Sequence, residues 1–389
     1  MSSGGKFIAG IIVLGLIVWV GFSLVNTPEA GKIVKVGFMG PLTGDVASYG
    51  ESIRRAVEFA QKEFRTDMIE LVYEDSHCDE KDAVNAINKL INIDGVVAII
   101  GEVCSEATLA IAPIAEKAGV VLMSPASTNP SISKAGEYIF RTIPSDALQG
   151  DFGAKLVAQK RFKKLAILYS NEEYGLGFNN VLIKSFEEAG GEVVASEVFD
   201  RGATDLRTQL NNIKNAKADA LYIISNSPDS TIAALKQVKE LKLELALFGS
   251  EGLKNQDILE AAKEEAEGLV VTSVSGGTSS FVKRLEREYG KAPGPFAAQG
   301  YDAFLALASV IHSGAHSGSE IKDGLNTITF EGASGMVKFD EAGDVAGNYD
   351  VFVVQNGKFV FASQETDAMP KNLEQGEGEK DNDVMEKEN

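Results

Sequence analysis

The chain has 389 residues, 44% of them hydrophobic, with 37 basic and 56 acidic side chains and a formal net charge of −19. That balance excludes nucleic acid as a partner, because its phosphates would repel the body, and it disfavours laying the body on anionic lipid. The length is too great for one ordinary core and suits two lobes.

Residues 7–25 (FIAGIIVLGLIVWVGFSLV) are uncharged and almost wholly apolar. As a transmembrane helix they span roughly 28 Å at about 1.5 Å per residue, enough to cross a bilayer core. Lys6 is the only charged side chain before the run, which puts the body outside the membrane. A cleaved signal peptide is the alternative. The following stretch, NTPEAGK, has no small-x-small cleavage site, and no cysteine suited to lipidation follows the run. Residues 1–30 therefore read as a retained, single-pass N-terminal anchor in the cell membrane with an extracytoplasmic body.

Beyond the run, apolar strand patterns alternate with amphipathic helices. Residues 33–39 read as a buried strand, 52–64 as a helix, 69–73 as a strand and 81–92 as a helix. Residues 96–100 are the next strand, then a helix at 108–117 and a strand at 120–123. The pattern restarts after Arg141, with helices at 148–159, 178–189, 206–214 and 231–241. Between and after these come strands at 165–169, 192–199, 220–224, 245–248 and 269–274. Helices at 281–289 and 296–311 precede a short β-rich end at 335–339, 351–354 and 359–361. Continuous apolar strands interleaved with helices mean parallel sheets covered on both faces. No single sheet accommodates so many strands comfortably, so the expected fold is α/β with two doubly wound lobes. Residues 365–389 carry nine acids against three lysines and too little apolar content to fold, and read as a disordered acidic tail.

Two cysteines, Cys78 and Cys104, each follow a predicted strand. Neighbouring parallel strands would present them side by side for a disulfide in an oxidising compartment; two buried thiols are the alternative. His77, His312 and His316 show no metal-ligand spacing with them, so no metal and no cofactor is expected.

Ligands of open α/β sheets bind beyond the carboxyl ends of strands, where loops meet helix starts. Here those loops are GPLTGDVASYG (40–50), GEVCSEAT (101–108) and SPASTNP (124–130). The second half adds YSNEEYGLG (169–177), SNSPDS (225–230) and GSEG (249–252). Ser105 opens a helix, where a hydroxyl and backbone N–H groups suit a carboxylate; a simple N-cap is the alternative. Glu251, between two small residues after an apolar strand, is placed to receive a cation or to sit in a solvated turn. Tyr49 and Tyr174 each precede a glycine and can wall a cleft or pack under their loops. No dinucleotide fingerprint, phosphate loop, nucleophile elbow or Ser/His/Asp arrangement is present, so no catalytic residue is expected and the chain does not read as an enzyme.

With FRT followed by SDALQG, and QGYDA added to these loops in order, the chain resembles the type I periplasmic binding proteins. It is most similar in pattern to the leucine/isoleucine/valine-binding branch that serves ABC importers. The resemblance spans about 33–362. It implies that Ser105, Thr128 and the backbone of Ala126 and Ser127 grip the α-carboxylate and ammonium of an amino acid. It makes Glu251 the acid that pairs with the ammonium from the opposite lobe, Tyr49 and Tyr174 the cleft lining, and Cys78–Cys104 the family disulfide. Asn226 departs from the pattern, since branched-chain binders carry an aromatic there, and the departure points to a smaller or more polar ligand side chain. The implied lobes are 31–145 with 275–352, and 146–274 with 353–364, joined by a three-stranded hinge, and the implied partners are ABC permease subunits. A ligand-binding sensor working with a separate signalling partner is the alternative, since the same fold serves there.

Overall fold

The computed structural model describes residues 33–347 and 349–362. The apolar run at 7–25 and the acidic tail at 365–389 lie outside the described residues. Among the described residues, no helix is long and apolar enough to cross a membrane.

Strand β1 (Val34–Gly40) is apolar and buried almost throughout, so it lies at the interior of a sheet rather than at its edge. It pairs in parallel with β2 (Ile69–Asp75) on one side and β3 (Ala98–Ile100) on the other, with Val36 opposite both Leu71 and Ala98. β4 (Val121–Ser124) and β5 (Ile139–Arg141) extend it in parallel, giving the order β2-β1-β3-β4-β5 among the described residues. Helices α1 (Ala47–Phe64), α2 (Glu80–Lys89) and α3 (Ser105–Ala118) are the crossovers. Phe38, Ile53, Ile87 and Ile100 meet in one core on this sheet.

After β5 the chain passes to a second sheet through α4 (Asp146–Gln159). β6 (Lys164–Ser170), α5 (Glu173–Glu188), β7 (Glu192–Phe199), α6 (Arg207–Ala216) and β8 (Ala220–Ile224) follow. They continue into α7 (Pro228–Glu240), β9 (Ala246–Gly249), α8 (Gln256–Ala262) and β10 (Val270–Val274). These five strands pair in parallel in the order β10-β9-β8-β6-β7. Phe178, Phe186, Tyr222 and Phe248 pack on one face, and Leu168, Leu210, Leu235 and Leu253 on the other.

The chain then returns. Helices α9 (Ser279–Tyr289), α10 (Ala297–His312) and α11 (Gly318–Leu325), with the short pair β11 (Phe330–Glu331) and β12 (Met336–Val337), lie on the first lobe. Phe281 and Phe304 enter its core. A third passage brings β13 (Tyr349–Gln355) and β14 (Lys358–Ala362) to the second sheet as an antiparallel edge hairpin. This corrects the sequence-based boundary: Tyr349–Phe352, expected in the first lobe, pair with Val271–Val274 of β10. Ile143, Val274 and Tyr349, one residue from each passage, pack together where the lobes join.

The Cys78–Cys104 disulfide is formed, with Cα atoms 5.6 Å apart and both residues buried. Cys78 follows β2 and Cys104 precedes α3, so the bridge fixes the loop that opens α3. Closing a loop over a separation of 26 residues stabilises the fold by ~3.5 kcal/mol in the chain-entropy view. Thiol labelling of the unreduced, denatured protein is expected to find almost no free cysteine. Reduction is expected to lower stability by about that amount without unfolding the chain, because the cores around both sheets are large.

Candidate functional site

The carboxyl ends of β3, β4, β6, β8 and β9 all open toward the junction of the lobes, and the loops read from sequence meet there. The first-lobe wall is built by α3 and the loop after β4. Helix α3 starts at Ser105, with Cys104 as the residue before it, and the Cys104 side chain does not cap the helix. Ser105 is thus the first helical residue rather than an N-cap. Its buried hydroxyl accepts from the Asn129 backbone N–H at 3.2 Å, which ties the helix start to the loop carrying Thr128.

Within that loop the roles divide. Ser127 donates its hydroxyl to the Glu102 carbonyl at 3.1 Å and lies 2.6 Å from the Thr108 hydroxyl. The backbone N–H groups of Ala126 and Ser127 both donate to Ser124 Oγ, at 3.3 and 2.9 Å. Ala126 and Ser127 are therefore scaffold here, and what their backbone leaves for a ligand is carbonyl oxygen. Thr128 differs: its hydroxyl is buried and has no hydrogen-bond partner among the described residues.

Glu251 opens a short 3-10 turn, Glu251–Leu253, directly after β9. Gly252 must be glycine, because a Cβ there would stand 2.2 Å from the Ser225 carbonyl oxygen. That close approach turns Glu251 inward, and it is only 4% exposed. Its Oε2 has no partner among the described residues, and burial pushes its carboxyl up to about 7. Tyr174 and Gln149 lie beside it. Tyr174 donates to Ser250 Oγ at 2.7 Å, while Tyr49 reaches across from the first lobe to donate to the Gly252 carbonyl at 3.0 Å. Gly175, next to Tyr174, is equally constrained: a Cβ would stand 2.0 Å from the Ser170 carbonyl oxygen.

Two residues without an assigned role in the sequence reading join this group. Asp146, the first residue of α4, is fully buried with both carboxylate oxygens unpartnered among the described residues. Burial and the neighbouring Glu251 charge hold its carboxyl well above the usual range. Gln149 uses its Nε2 to donate to the Thr272 carbonyl at 3.0 Å, leaving Oε1 unpartnered among the described residues. Both sit in SDALQG, so the signal was a polar pair three apart at a helix start, on the face that turns inward. A third cluster comes from both lobes, where Arg201 spans Glu106 and Glu172 at 3.2 and 3.0 Å, with Asn226 beside Glu172. The described residues thus bring the Ser105 and Thr128 hydroxyls of the first lobe together with buried acidic side chains from both lobes.

The periplasmic binding protein family model matches residues 33–358. A leucine-, isoleucine-, valine-, threonine- and alanine-binding protein of Pseudomonas aeruginosa is 30% identical over 340 residues, covering 84% of this chain and 90% of its own. Among solved structures, a leucine binding protein of Thermotoga maritima superposes with a TM-score of 0.81 at 30% identity, over 85% of this chain and 98% of that one. A branched-chain amino acid transporter substrate binding protein of Streptococcus pneumoniae, in complex with isoleucine, gives 0.77 at 28% identity, over 85% and 100%. A family match over most of the chain, joined to two parallel sheets that meet at one polar cleft, identifies it: the chain belongs to the periplasmic binding protein family.

Proposed function

We propose that this protein is the extracytoplasmic solute-binding component of an ABC importer and that it captures an α-amino acid between its lobes. The observation that carries the reading is Glu251, a buried carboxylate with an oxygen unpartnered among the described residues, in the same cleft as Ser105 and the unpartnered Thr128 hydroxyl. A helix start suits the ligand carboxylate, and buried acids suit its ammonium. Asp146, the Gln149 Oε1 atom and the carbonyls of Ala126 and Ser127 supply further acceptors for that ammonium. Tyr49 and Tyr174 wall the cleft, and Asn226 faces the ligand side chain.

Contacts from both lobes favour the closed state, with the three passages between the lobes acting as the hinge, and permease subunits read that closure. The relatives' names support amino acids as the ligand class, and binding without turnover is the activity. Purified full-length protein in mild detergent, titrated by calorimetry, tests the reading. A mixture of L-α-amino acids is expected to bind, and the corresponding 2-oxo acids and decarboxylated amines are not. Equal binding of the 2-oxo acids would remove the ammonium site.

The run at 7–25 supports a tether to the membrane's outer face. The native protein is expected in the membrane fraction at full length, released only by detergent. A soluble mature form beginning near Gly31 would overturn the tether.

A further inference from the structure

Arg201 is the cation that faces the third cluster, and it does not satisfy it. Its Nη1 holds Glu106 Oε1 and Glu172 Oε1, while Nη1 and Nη2 donate to the Cys78 carbonyl at 3.3 and 3.4 Å. Glu106 Oε2, Glu172 Oε2 and Asn226 Oδ1 are buried and without a partner among the described residues. Glu106 itself is only 8% exposed. Each comes from a segment that also carries a candidate cleft residue. Glu106 follows Ser105 on α3, Glu172 stands two residues before Tyr174, and the Asn226 Cα lies 3.5 Å from where a Gly252 Cβ would be.

One guanidinium faces two carboxyl groups that burial raises, Glu106 to about 8, so a second cation beside Arg201 is what would let both ionise. Three acceptors of that kind are complementary to a group bearing several N–H donors and a positive charge. A hydrocarbon side chain would leave all three acceptors desolvated and unpaired.

We propose that this end of the cleft selects α-amino acids whose side chain ends in a cationic nitrogen group, of the lysine, ornithine or arginine class, over branched hydrocarbon side chains. The proposal rests on the α-amino acid reading above and narrows it.

Calorimetric titration of the purified full-length chain with L-lysine, L-ornithine, L-arginine, L-glutamine and L-leucine tests it. At least one cationic acid is expected to bind about tenfold or more tighter than leucine and glutamine, about a decade being the cost of a single unpaired acceptor. Glu172→Gln is expected to lower the ratio of cationic-acid to leucine affinity by about tenfold or more. A melting curve confirms that the variant is folded, and the wild-type ranking decides the matter where it is not. Leucine or glutamine binding as tightly as every cationic acid would overturn the proposal while leaving the α-amino acid reading intact. Failure of all five to bind would overturn the proposal, and failure of the L-α-amino acid mixture as well would overturn the α-amino acid reading with it.

Discussion

Glu251→Gln is expected to weaken binding of the α-amino acid ligand by about two to three decades. The substitution keeps the shape of a side chain that is 4% exposed and removes only its charge. When the lobes close, ligand ammonium and Glu251 carboxylate both leave water. Removing one member of such a pair costs about 3–5 kcal/mol, because the other stays buried and uncompensated. At about 1.4 kcal/mol per decade, the loss spans two to three decades and somewhat more where Asp146 cannot take over. Calorimetry on wild type and variant checks it, and equal affinities would show that the ammonium is held elsewhere.

The same residue gives binding a pH dependence with a definite sign. Burial lifts the Glu251 carboxyl to about 7. A bound ammonium favours its ionised form and so lowers that value. Binding below about pH 7 must therefore release a proton, and affinity falls as the pH drops through 7 and below. Titrations at pH 6 in two buffers of different ionisation enthalpy would read the released proton directly. Glu251→Gln should remove much of it, leaving what Asp146 contributes.

Much of the fold was legible because buried strands are long apolar runs with clear ends. The strand read at 33–39 forms over Val34–Gly40, and 192–199 and 220–224 keep their bounds. The helices at the cleft were read too short at their starts. α1 begins at Ala47 rather than 52, α3 at Ser105 rather than 108, and α5 at Glu173 rather than 178. Those first turns carry Gly and Ser, which local propensity places in turns and caps. Tertiary contact makes them helical, as where Gly175 meets the Ser170 carbonyl. The functional loops thus sit where local pattern is weakest. α8 and β5 were missed for their brevity, and α11 despite the capping box of Ser317 and Glu320.

The site divides along the same line. Ser105, Tyr49, Tyr174 and Glu251 were candidates because each lies in a motif with a local chemical reason, and Thr128 through the resemblance. Asp146 and Gln149 lay in a recognised motif without a role, since their burial depends on how α4 packs against β10. The Arg201 cluster joins positions 95 residues apart, and nothing local in either segment announces the pairing. The backbone of Ala126 and Ser127 was expected to grip the ligand; Ser124 Oγ accepts both of their N–H groups, which leaves their carbonyls for that role.

Asp344→Ala is expected to be the most damaging single change to stability away from the cleft's ligand contacts. Arg141, at the end of β5, has a fully buried side chain. Its Nε and Nη2 donate to the two oxygens of Asp344 at 2.6 and 2.7 Å, its Nη2 also to Ser133 Oγ, and its Nη1 to the Asn129 carbonyl at 3.0 Å. Asp344 comes from the third passage between the lobes, 203 residues away, so this bidentate pair clamps that passage to the first sheet. Removing the carboxylate leaves a buried guanidinium without its counter-charge, at about 3–5 kcal/mol, and the melting temperature of the first lobe should fall by roughly 10 °C. Arg141→Met combined with Asp344→Leu should recover much of the loss, since an apolar pair leaves no charge behind. A melting temperature for Asp344→Ala within about 2 °C of wild type would show that water reaches Arg141 and that the clamp does not act. Arg141 also fixes Asn129, which holds Ser105 and adjoins Thr128. Loosening it should therefore weaken ligand binding as well as the fold, and more so than any surface substitution on the same lobe.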